Sequence, residues 1–316
     1  MKLDFSHEFS LIVSSFQKAG ASRNIFLDSQ IPGIIVEGNS VLAKSEHKGL
    51  KIKTRKIKEG VEMKIYLDNG VKMEKPVHLC FGLMAKKGRQ VIKAEFFIGK
   101  KSKINFISHC SFPFPQGVDH FMKAKVHLAE GAEMNYQEEH YHSSTGKIFV
   151  WPKTEIFLKK GAKFSEEFKL IKGRVGKLKI EYFTYQEDKS SSFFLTKIYG
   201  KKNDKIDIQE TIHLDKRGAK GIAESRLVLI EKARGDIFGE IVAQGAYAQG
   251  HLDCQEIVQG EAIASSTPKI IVKHPLAKIT HEASIGRINK KELETLIVHG
   301  LTQRQAVNFI VQGLLK

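Results

Sequence analysis

The 316-residue chain is poor in cysteine, and what it lacks excludes several classes of protein. Its three cysteines are Cys80, Cys110 and Cys254. This small, odd number argues against a disulfide framework and indicates a reducing compartment. They form no Cys-x-x-Cys pair, which argues against a structural zinc finger. No apolar run approaches the roughly 18 residues that a membrane-spanning helix needs. Acidic residues stand near the N-terminus, where a signal peptide is basic and then apolar, so we expect a cytoplasmic protein without a membrane span.

Catalytic motifs are missing as well. The sequence contains no Gly-x-Ser-x-Gly nucleophile elbow, no Walker A phosphate loop and no His-Glu-x-x-His zinc motif. Nothing therefore supports hydrolase chemistry, and we expect a protein that is not an enzyme. Any ATP hydrolysis linked to its function is expected in a separate chain.

Positive charge is in excess, with a formal net charge of +16, which suggests an acidic partner. Lys51, Lys53 and Arg55 alternate with Ile52 and Ile57, a pattern typical of the solvent-facing side of a strand. No segment combines clustered basic residues with the stacking aromatics of a known nucleic-acid module, so no nucleic-acid partner is expected. A basic face for an acidic protein or an anionic small molecule stays open.

Strand-like alternation dominates from about residue 50 to residue 279, and no helical pattern interrupts it. The segment Leu128–Met134 recurs as Leu158–Phe164, and similar Gly-Ala turns stand at Gly218 and Gly245. The glycine allows a left-handed backbone, and the small residue after it lets the next coil stack closely. A repeat of roughly 25 to 30 residues built from strands and turns predicts a β-solenoid, for which the alternative is a β-sandwich.

Helices are expected at both ends. Phe9, Ile12 and Phe16 recur at helical spacing within residues 5 to 19, and Gly20 is the predicted stop. Short strands are expected around Ile25–Leu27 and Ile34–Val36.

Two short helices are predicted at the C-terminus. Asn289 with Glu292, and Thr302 with Gln305, are capping-box pairs, and Gly300 stands where a helix end requires positive φ. The predicted apolar faces are Leu293, Leu296 and Ile297 in the first helix and Ala306, Phe309 and Ile310 in the second. The helix pair either caps the solenoid or docks to a partner. We therefore expect three regions: an N-terminal α/β region (1–50), a solenoid core (51–280) and a C-terminal helical module (281–316).

The C-terminal motifs carry a specific resemblance. His281-Glu282-Ala283-Ser284-Ile285-Gly286-Arg287-Ile288, Glu292-Leu293, His299-Gly300-Leu301-Thr302 and Ile310-Val311-Gln312-Gly313 are similar to the C-terminal signature of the SufB/SufD family. The resemblance implies a right-handed parallel β-helix in a short, SufB-like minimal form. It further implies a scaffold on which iron–sulfur clusters are assembled at a dimer interface and then passed to apo-proteins.

The resemblance also supplies candidate metal ligands. Cys254 aligns with the core cysteine of SufB-type scaffolds, and His281 and Glu282 align with their His-Glu pair, which implies that these three residues hold the transient cluster. Thiolate is the preferred ligand of iron–sulfur clusters, whereas imidazole and carboxylate make labile ligands that suit a scaffold. The alternatives are a buried inert thiol for Cys254, a backbone-bonded ring for His281 and a helix-dipole contact for Glu282.

Other candidates are weaker. Cys110 occupies roughly the place of a second SufB cysteine, so the resemblance makes it a sulfur-accepting candidate, and we expect an exposed thiol whose pKa is lowered by His109; plain packing is the alternative. Cys80 is expected to be structural, and His274 is a possible auxiliary ligand. His140 and His142 share one face of a strand, which we expect to be solvated rather than to bind metal.

The partners implied are a SufC-type ABC ATPase, a sulfur donor protein, and either a second copy or a SufB/SufD-like different chain. The ATPase would dock on the C-terminal helices, where the candidate contacts are Glu292, Leu293, His299, Gly300 and Thr302. The resemblance leaves flavin binding and the cluster type open. An alternative from another class is a basic β-solenoid acting as a polysaccharide lyase or acidic-glycan binder, which the missing signal peptide and the helix pair disfavour. A transporter subunit is a third hypothesis, and the lack of a membrane span argues against it.

Overall fold

The fold is given by a computed structural model that describes residues 5–28 and 30–315, with the backbone alone for residues 5–9 and 304. Its helices are α1 (Phe5–Lys18), a 3-10 helix (Arg23–Phe26), α2 (Lys290–Val298) and α3 (Gln303–Leu315). The first strands are β1 (Gly33–Glu37), β2 (Ser40–Ser45), β3 (Leu50–Ile57), β4 (Gly60–Leu67), β5 (Val77–Gly82), β6 (Lys87–Ile98), β7 (Lys103–Phe112), β8 (Gln116–Leu128), β9 (Glu133–His142) and β10 (Lys147–Leu158). The remaining strands are β11 (Lys163–Lys172), β12 (Lys177–Gln186), β13 (Ser191–Gly200), β14 (Lys205–Leu214), β15 (Lys220–Leu229), β16 (Arg234–Ala243), β17 (Gln249–Val258), β18 (Ile263–Val272) and β19 (Lys278–Arg287).

The strands form two facing sheets. Sheet A has the order β19-β17-β15-β13-β11-β9-β7-β5-β1-β2, and sheet B has the order β18-β16-β14-β12-β10-β8-β6-β4-β3. From β4 onward the chain alternates between the sheets, and every strand pairs in parallel with the strand two elements later. Antiparallel pairing is confined to β1–β2 and β3–β4 at the N-terminal end among the described residues. The prediction of a β-solenoid rather than a sandwich is confirmed, with about eight coils.

Each coil has nearly the same length. Glu133, Lys163, Ser191, Lys220, Gln249 and Lys278 occupy one ladder position in successive coils, so a coil takes 28 to 30 residues. Gly131, Gly161 and Gly218 have φ between 65° and 68°, and the amide of Gly131 donates to Lys160 O in the next turn. The predicted role of the turn glycines is confirmed at these three positions. At Gly245 the reason differs, because a Cβ would lie 1.9 Å from Lys216 O.

The N-terminal segment covers the outer side of sheet A. Phe16 of α1 is fully buried against Ala21, Ile35 and Cys80, and Gly20 ends the segment with φ +87°, as predicted. The expected strand at Ile25–Leu27 is wrong. The Ser22 side chain accepts from the amide of Asn24 and starts a 3-10 helix there, so a local cap prevails over the strand propensity of isoleucine and phenylalanine. The expected strand at Ile34–Val36 is confirmed as the centre of β1.

The C-terminal helices pack on the side of the solenoid rather than on its end. Val307, Val311 and Leu315 of α3 contact Tyr199 and Val228 of sheet A. The caps are as predicted: Asn289 accepts from the amides of residues 291 and 292, residue 302 exchanges bonds with residue 305, and residue 300 has φ +92°.

The predicted apolar faces of these helices are partly wrong. No described side chain of α2 is buried, and Ile297 is 41% exposed. In α3, Ala306 is buried as expected, but Phe309 is 63% exposed. The reason is that α3 rests on the solenoid while α2 packs against α3, so part of both faces has no cover among the described residues. The helices begin at residue 290, since residues 278–287 still form a strand. No helix in the described ranges is long and apolar enough to cross a membrane.

Candidate metal-ligand site

The site centres on Cys254, near the C-terminal end of the solenoid. Cys254 lies on β17, where alternate side chains enter the interior, and it is 4% exposed. Its ladder neighbours are Ser225 on β15 and Ala283 on β19. The thiol is therefore the sulfur ligand nearest the last coil among the described residues.

His281 lies on the same inner face as Cys254. It pairs with Leu252 across the β17–β19 ladder, and Leu252 and Cys254 are two residues apart on one side of β17. Adjacent parallel strands and a two-residue offset place the Cα atoms of Cys254 and His281 about 8 Å apart, which is within reach of a shared metal ion. The His281 side chain is exposed because β19 is the last strand of sheet A.

Glu282 occupies the opposite face of β19. It pairs with Asp253, whose carboxylate accepts a bond of 2.5 Å from Arg226 on the outer side of sheet A. Successive side chains of a strand alternate between faces, so Glu282 cannot join Cys254 and His281 around one ion within the same chain. The structure thus brings two of the three predicted ligands together and turns the third outward.

The interior around the thiol is polar. Burial raises the pKa of Cys254 to about 11, and the carboxyls of Glu210 and Glu256 add to the effect. Glu256 lies two residues along the same face, and neither of its carboxyl oxygens has a hydrogen-bond partner among the described residues. Burial raises the pKa of Glu256 to about 7. No motif in the sequence marks this carboxyl, although its i, i+2 spacing from Cys254 would place both side chains on one face of a strand.

The last coil is uncovered. The side chains of β18 and β19 are exposed or half-buried, including Val272 at 48% and Ile285 at 49%. Both strands are also sheet edges with unpaired backbone groups. Exposed apolar side chains on an open sheet edge mark a surface suited to contact with another chain.

The expectation for Cys110 is wrong in its physical basis. The thiol is fully buried inside the solenoid, and burial, followed by the nearby Glu138 carboxyl, raises its pKa well above the usual value. His109 is adjacent in sequence but lies on the outer face of β7, where its Nδ1 is 2.9 Å from Ala19 O of the N-terminal segment. Strand alternation separates the two side chains, so this imidazole cannot lower the pKa of the thiol.

The expected solvated face at His140 and His142 is also wrong. The two rings do share one face of β9, but that face is the interior, and both are fully buried. Cys80 is buried beneath α1, as expected of a structural residue. His274 lies in a turn, where its Nδ1 accepts from the amide of Leu276.

The candidate partner contacts lie on the helical module. Leu293 packs against the cluster that anchors α3, whereas the other four are exposed. These four are Glu292, His299, Gly300 and Thr302.

The protein is thus a two-sheet parallel solenoid that carries a cysteine and a histidine on the inner face of the last two strands of sheet A. A family model described as "SUF system FeS cluster assembly, SufBD core domain" matches residues 98–314. An iron–sulfur cluster assembly SufBD family protein of Pyrococcus horikoshii is 32% identical over 315 residues, covering 100% of this chain and 96% of the relative. One of Methanocaldococcus jannaschii is 30% identical over 313 residues, covering 99% of each.

The chain belongs to the SufBD family of iron–sulfur cluster assembly proteins. The resemblance found in its C-terminal motifs is therefore confirmed. A second Pyrococcus horikoshii protein of the family is 25% identical over 260 residues, which make up 80% of this chain and 56% of the relative. The chain thus matches some relatives over nearly their whole length and a longer relative over only part of its length.

Proposed function

We propose that the protein is a scaffold on which iron–sulfur clusters are assembled at the contact between two SufBD-type chains and then passed to apo-proteins. Cys254 and His281 of one chain supply two ligands, and Glu282 of the other chain supplies a labile third. The observation that carries this proposal is the placement of Cys254 and His281 on one inner face at an uncovered end of the solenoid. A contact between two such ends covers the exposed side chains of β18 and β19.

The donor set suits the task. A thiolate binds iron firmly, whereas imidazole and carboxylate are weaker ligands for a cluster that must leave. Because burial raises the pKa of Cys254 to about 11, the free thiol is protonated near neutral pH, and iron must displace its proton. We therefore expect cluster formation to become more favourable as the pH rises.

Anaerobic reconstitution with ferrous iron and sulfide tests the ligands. Cys254→Ser and His281→Ala should each lower the iron and sulfide bound per chain, measured chemically and by visible absorption. Cys80→Ser is the matched control, since it removes a thiol that is equally buried but lies on the other side of sheet A. A full complement of cluster in Cys254→Ser refutes the ligand role.

The partner proposed for the helical module is a SufC-type ABC ATPase, which would hydrolyse ATP on behalf of the scaffold. A groove of about 630 Å³ runs between α2 and α3 and is lined by Leu296, Phe309 and Ile310 among others. Exposed apolar side chains of this kind are typical of protein–protein contacts. A cytoplasmic location, a sulfur donor and the role of Cys110 as sulfur acceptor stay predictions from the sequence.

Co-purification with the ATPase tests the docking surface. Phe309→Glu should abolish the complex on size-exclusion chromatography, because a charge would replace an exposed ring in the groove. Phe114→Glu is the control, since Phe114 is also exposed but lies in the loop between β7 and β8. Retention of the ATPase by Phe309→Glu would place its docking surface elsewhere.

A further inference from the structure

A second group of metal-ligating side chains lies inside the solenoid, several coils from Cys254. Cys110 comes from β7 and Glu138 and His140 from β9, all in sheet A, while His120 reaches the same interior from β8 of sheet B. All four side chains are buried. From β9 to β17 is four steps across sheet A, so this group lies about 19 Å from the Cys254 coil.

Three donor atoms of the group converge. Cys110 and His140 are direct ladder neighbours on adjacent strands, and Glu138 lies two residues before His140 on the same face. The Cys110 Sγ is 3.6 Å from Glu138 Oε1, and His140 Nε2 is 2.5 Å from that same oxygen. All three donor atoms lie within 4.8 Å of one another. Ligand atoms around a tetrahedral zinc ion are about 3 to 4 Å apart, so only a small contraction would enclose an ion.

A hydrogen-bond chain orients the His140 ring for metal binding. The Arg174 carbonyl can only accept, so His142 Nδ1, at 3.1 Å, must carry the proton that it donates. The neutral His142 ring then accepts at Nε2 from His140 Nδ1, at 3.2 Å. A neutral His140 therefore presents a bare Nε2 lone pair toward Glu138. This is the arrangement that outer hydrogen bonds give to metal-binding histidines.

His120 supplies an independent observation. It is buried, and neither of its ring nitrogens has a hydrogen-bond partner among the described residues. Its ring lies 4.8 Å from that of Phe112 and 6.3 Å from that of His140, measured between centroids. A buried imidazole without partners is costly, and a metal ion beside His140 would remove that cost.

We propose that Cys110, Glu138 and His140 bind one divalent transition-metal ion inside the solenoid, with His120 as the fourth ligand. Thiolate, imidazole and carboxylate together favour zinc or ferrous iron over magnesium or calcium. The ion replaces the thiol proton of Cys110 and the proton shared between His140 and Glu138. A dication then balances one thiolate and one carboxylate, which leaves no net charge in the low-dielectric interior. The proposal does not depend on the cluster scaffold role.

Metal binding by a double variant tests the proposal. The full chain carrying Cys254→Ser and His281→Ala lacks both inner-face ligands of the end site. It is made metal-free and dialysed anaerobically, in separate arms, against zinc, ferrous iron or magnesium, and bound metal is measured by mass spectrometry. We expect one zinc or iron ion per chain and no magnesium, and the first two arms identify the preferred ion. Absence of stoichiometric zinc and iron would overturn the proposal, whatever the outcome of cluster reconstitution.

Cobalt reports on the sulfur ligand. In the double variant, bound cobalt should show thiolate-to-metal charge-transfer absorption that disappears on further Cys110→Ser substitution and persists on Cys80→Ser substitution. His142→Phe, which removes the orienting bond, should weaken binding about 10- to 100-fold. His120→Phe should weaken binding as well, and unchanged affinity would overturn the four-ligand form. If circular dichroism shows that a further variant does not fold, the cobalt spectrum of the double variant tests the proposal by itself. Cobalt bound without a thiolate charge-transfer band would contradict Cys110 as a ligand.

Discussion

The buried carboxyl of Glu210 makes a strong prediction about pH and stability. Glu210 lies inside the solenoid on β14, where its two oxygens accept from Thr196 Oγ1 at 2.9 Å and Ser225 Oγ at 3.3 Å. Burial raises its pKa from 4.5 to about 7, despite the two hydroxyl donors. Because the folded state holds the proton more tightly than the unfolded state, the stabilising contribution is complete below pH 4.5. It is lost as the pH rises toward and through 7.

Glu210→Gln isolates this effect, because the amide resembles the neutral acid and cannot ionise. From the two pKa values, the variant should gain about 2 to 3 kcal/mol of stability relative to the wild type between pH 5 and pH 8. Urea unfolding followed by circular dichroism at pH 5, 6, 7 and 8 measures the difference. Glu130→Gln, on an exposed turn, is the control and should leave the pH dependence unchanged. A constant difference between Glu210→Gln and wild type across this range would refute the reasoning.

Three further predictions concern the framework. Phe168→Ala, which empties a fully buried site between coils, should lower the free energy of unfolding by about 3 to 5 kcal/mol, measured by urea denaturation. Asp204→Asn should cost about 3 to 5 kcal/mol in the same assay, because the buried Asp204 carboxylate pairs with Arg174 and accepts from the amides of residues 175, 176 and 201. Val311→Asp should release α3 from sheet A, so that hydrogen exchange accelerates in residues 303–315 and not in β9. Each prediction fails if the variant matches the wild type.

The solenoid could be predicted because its period is visible in the sequence. Gly131 and Gly161 stand one coil apart at turns that require positive φ, and each is followed by an alanine that is fully buried. The segment around Arg23–Phe26 was less predictable. The cap at Ser22 decides its structure locally, and isoleucine occurs in strands and helices alike. The packing of α3 on the side of sheet A depends on contacts with residues such as Tyr199, more than 100 positions earlier.

Motifs in the sequence suggest candidate ligands, but they do not show which strand face each ligand occupies. Cys254 and His281 follow from motifs, and a coil length of 28 to 30 residues then places them on neighbouring strands. The same coil length makes Cys110 and His140 ladder neighbours, although no motif in the sequence links them. At His140 polarity is no sign of solvent, because the inward positions of β9 carry polar residues. A shift of one residue along a strand exchanges the inward and outward side chains, so it reverses the predicted burial of every residue in that strand.

The open end of the solenoid is the strongest physical argument for a partner chain. A stack of coils needs a cover at each end, since a terminal coil otherwise exposes the face that the next coil would bury. At the N-terminal end each sheet terminates in an antiparallel hairpin, β1–β2 in sheet A and β3–β4 in sheet B. At the C-terminal end α3 contacts β13 and β15, so it leaves β18 and β19 uncovered among the described residues. In the proposed function a second solenoid end covers the last coil and presents a further Cys254, His281 and Glu282 at the same contact.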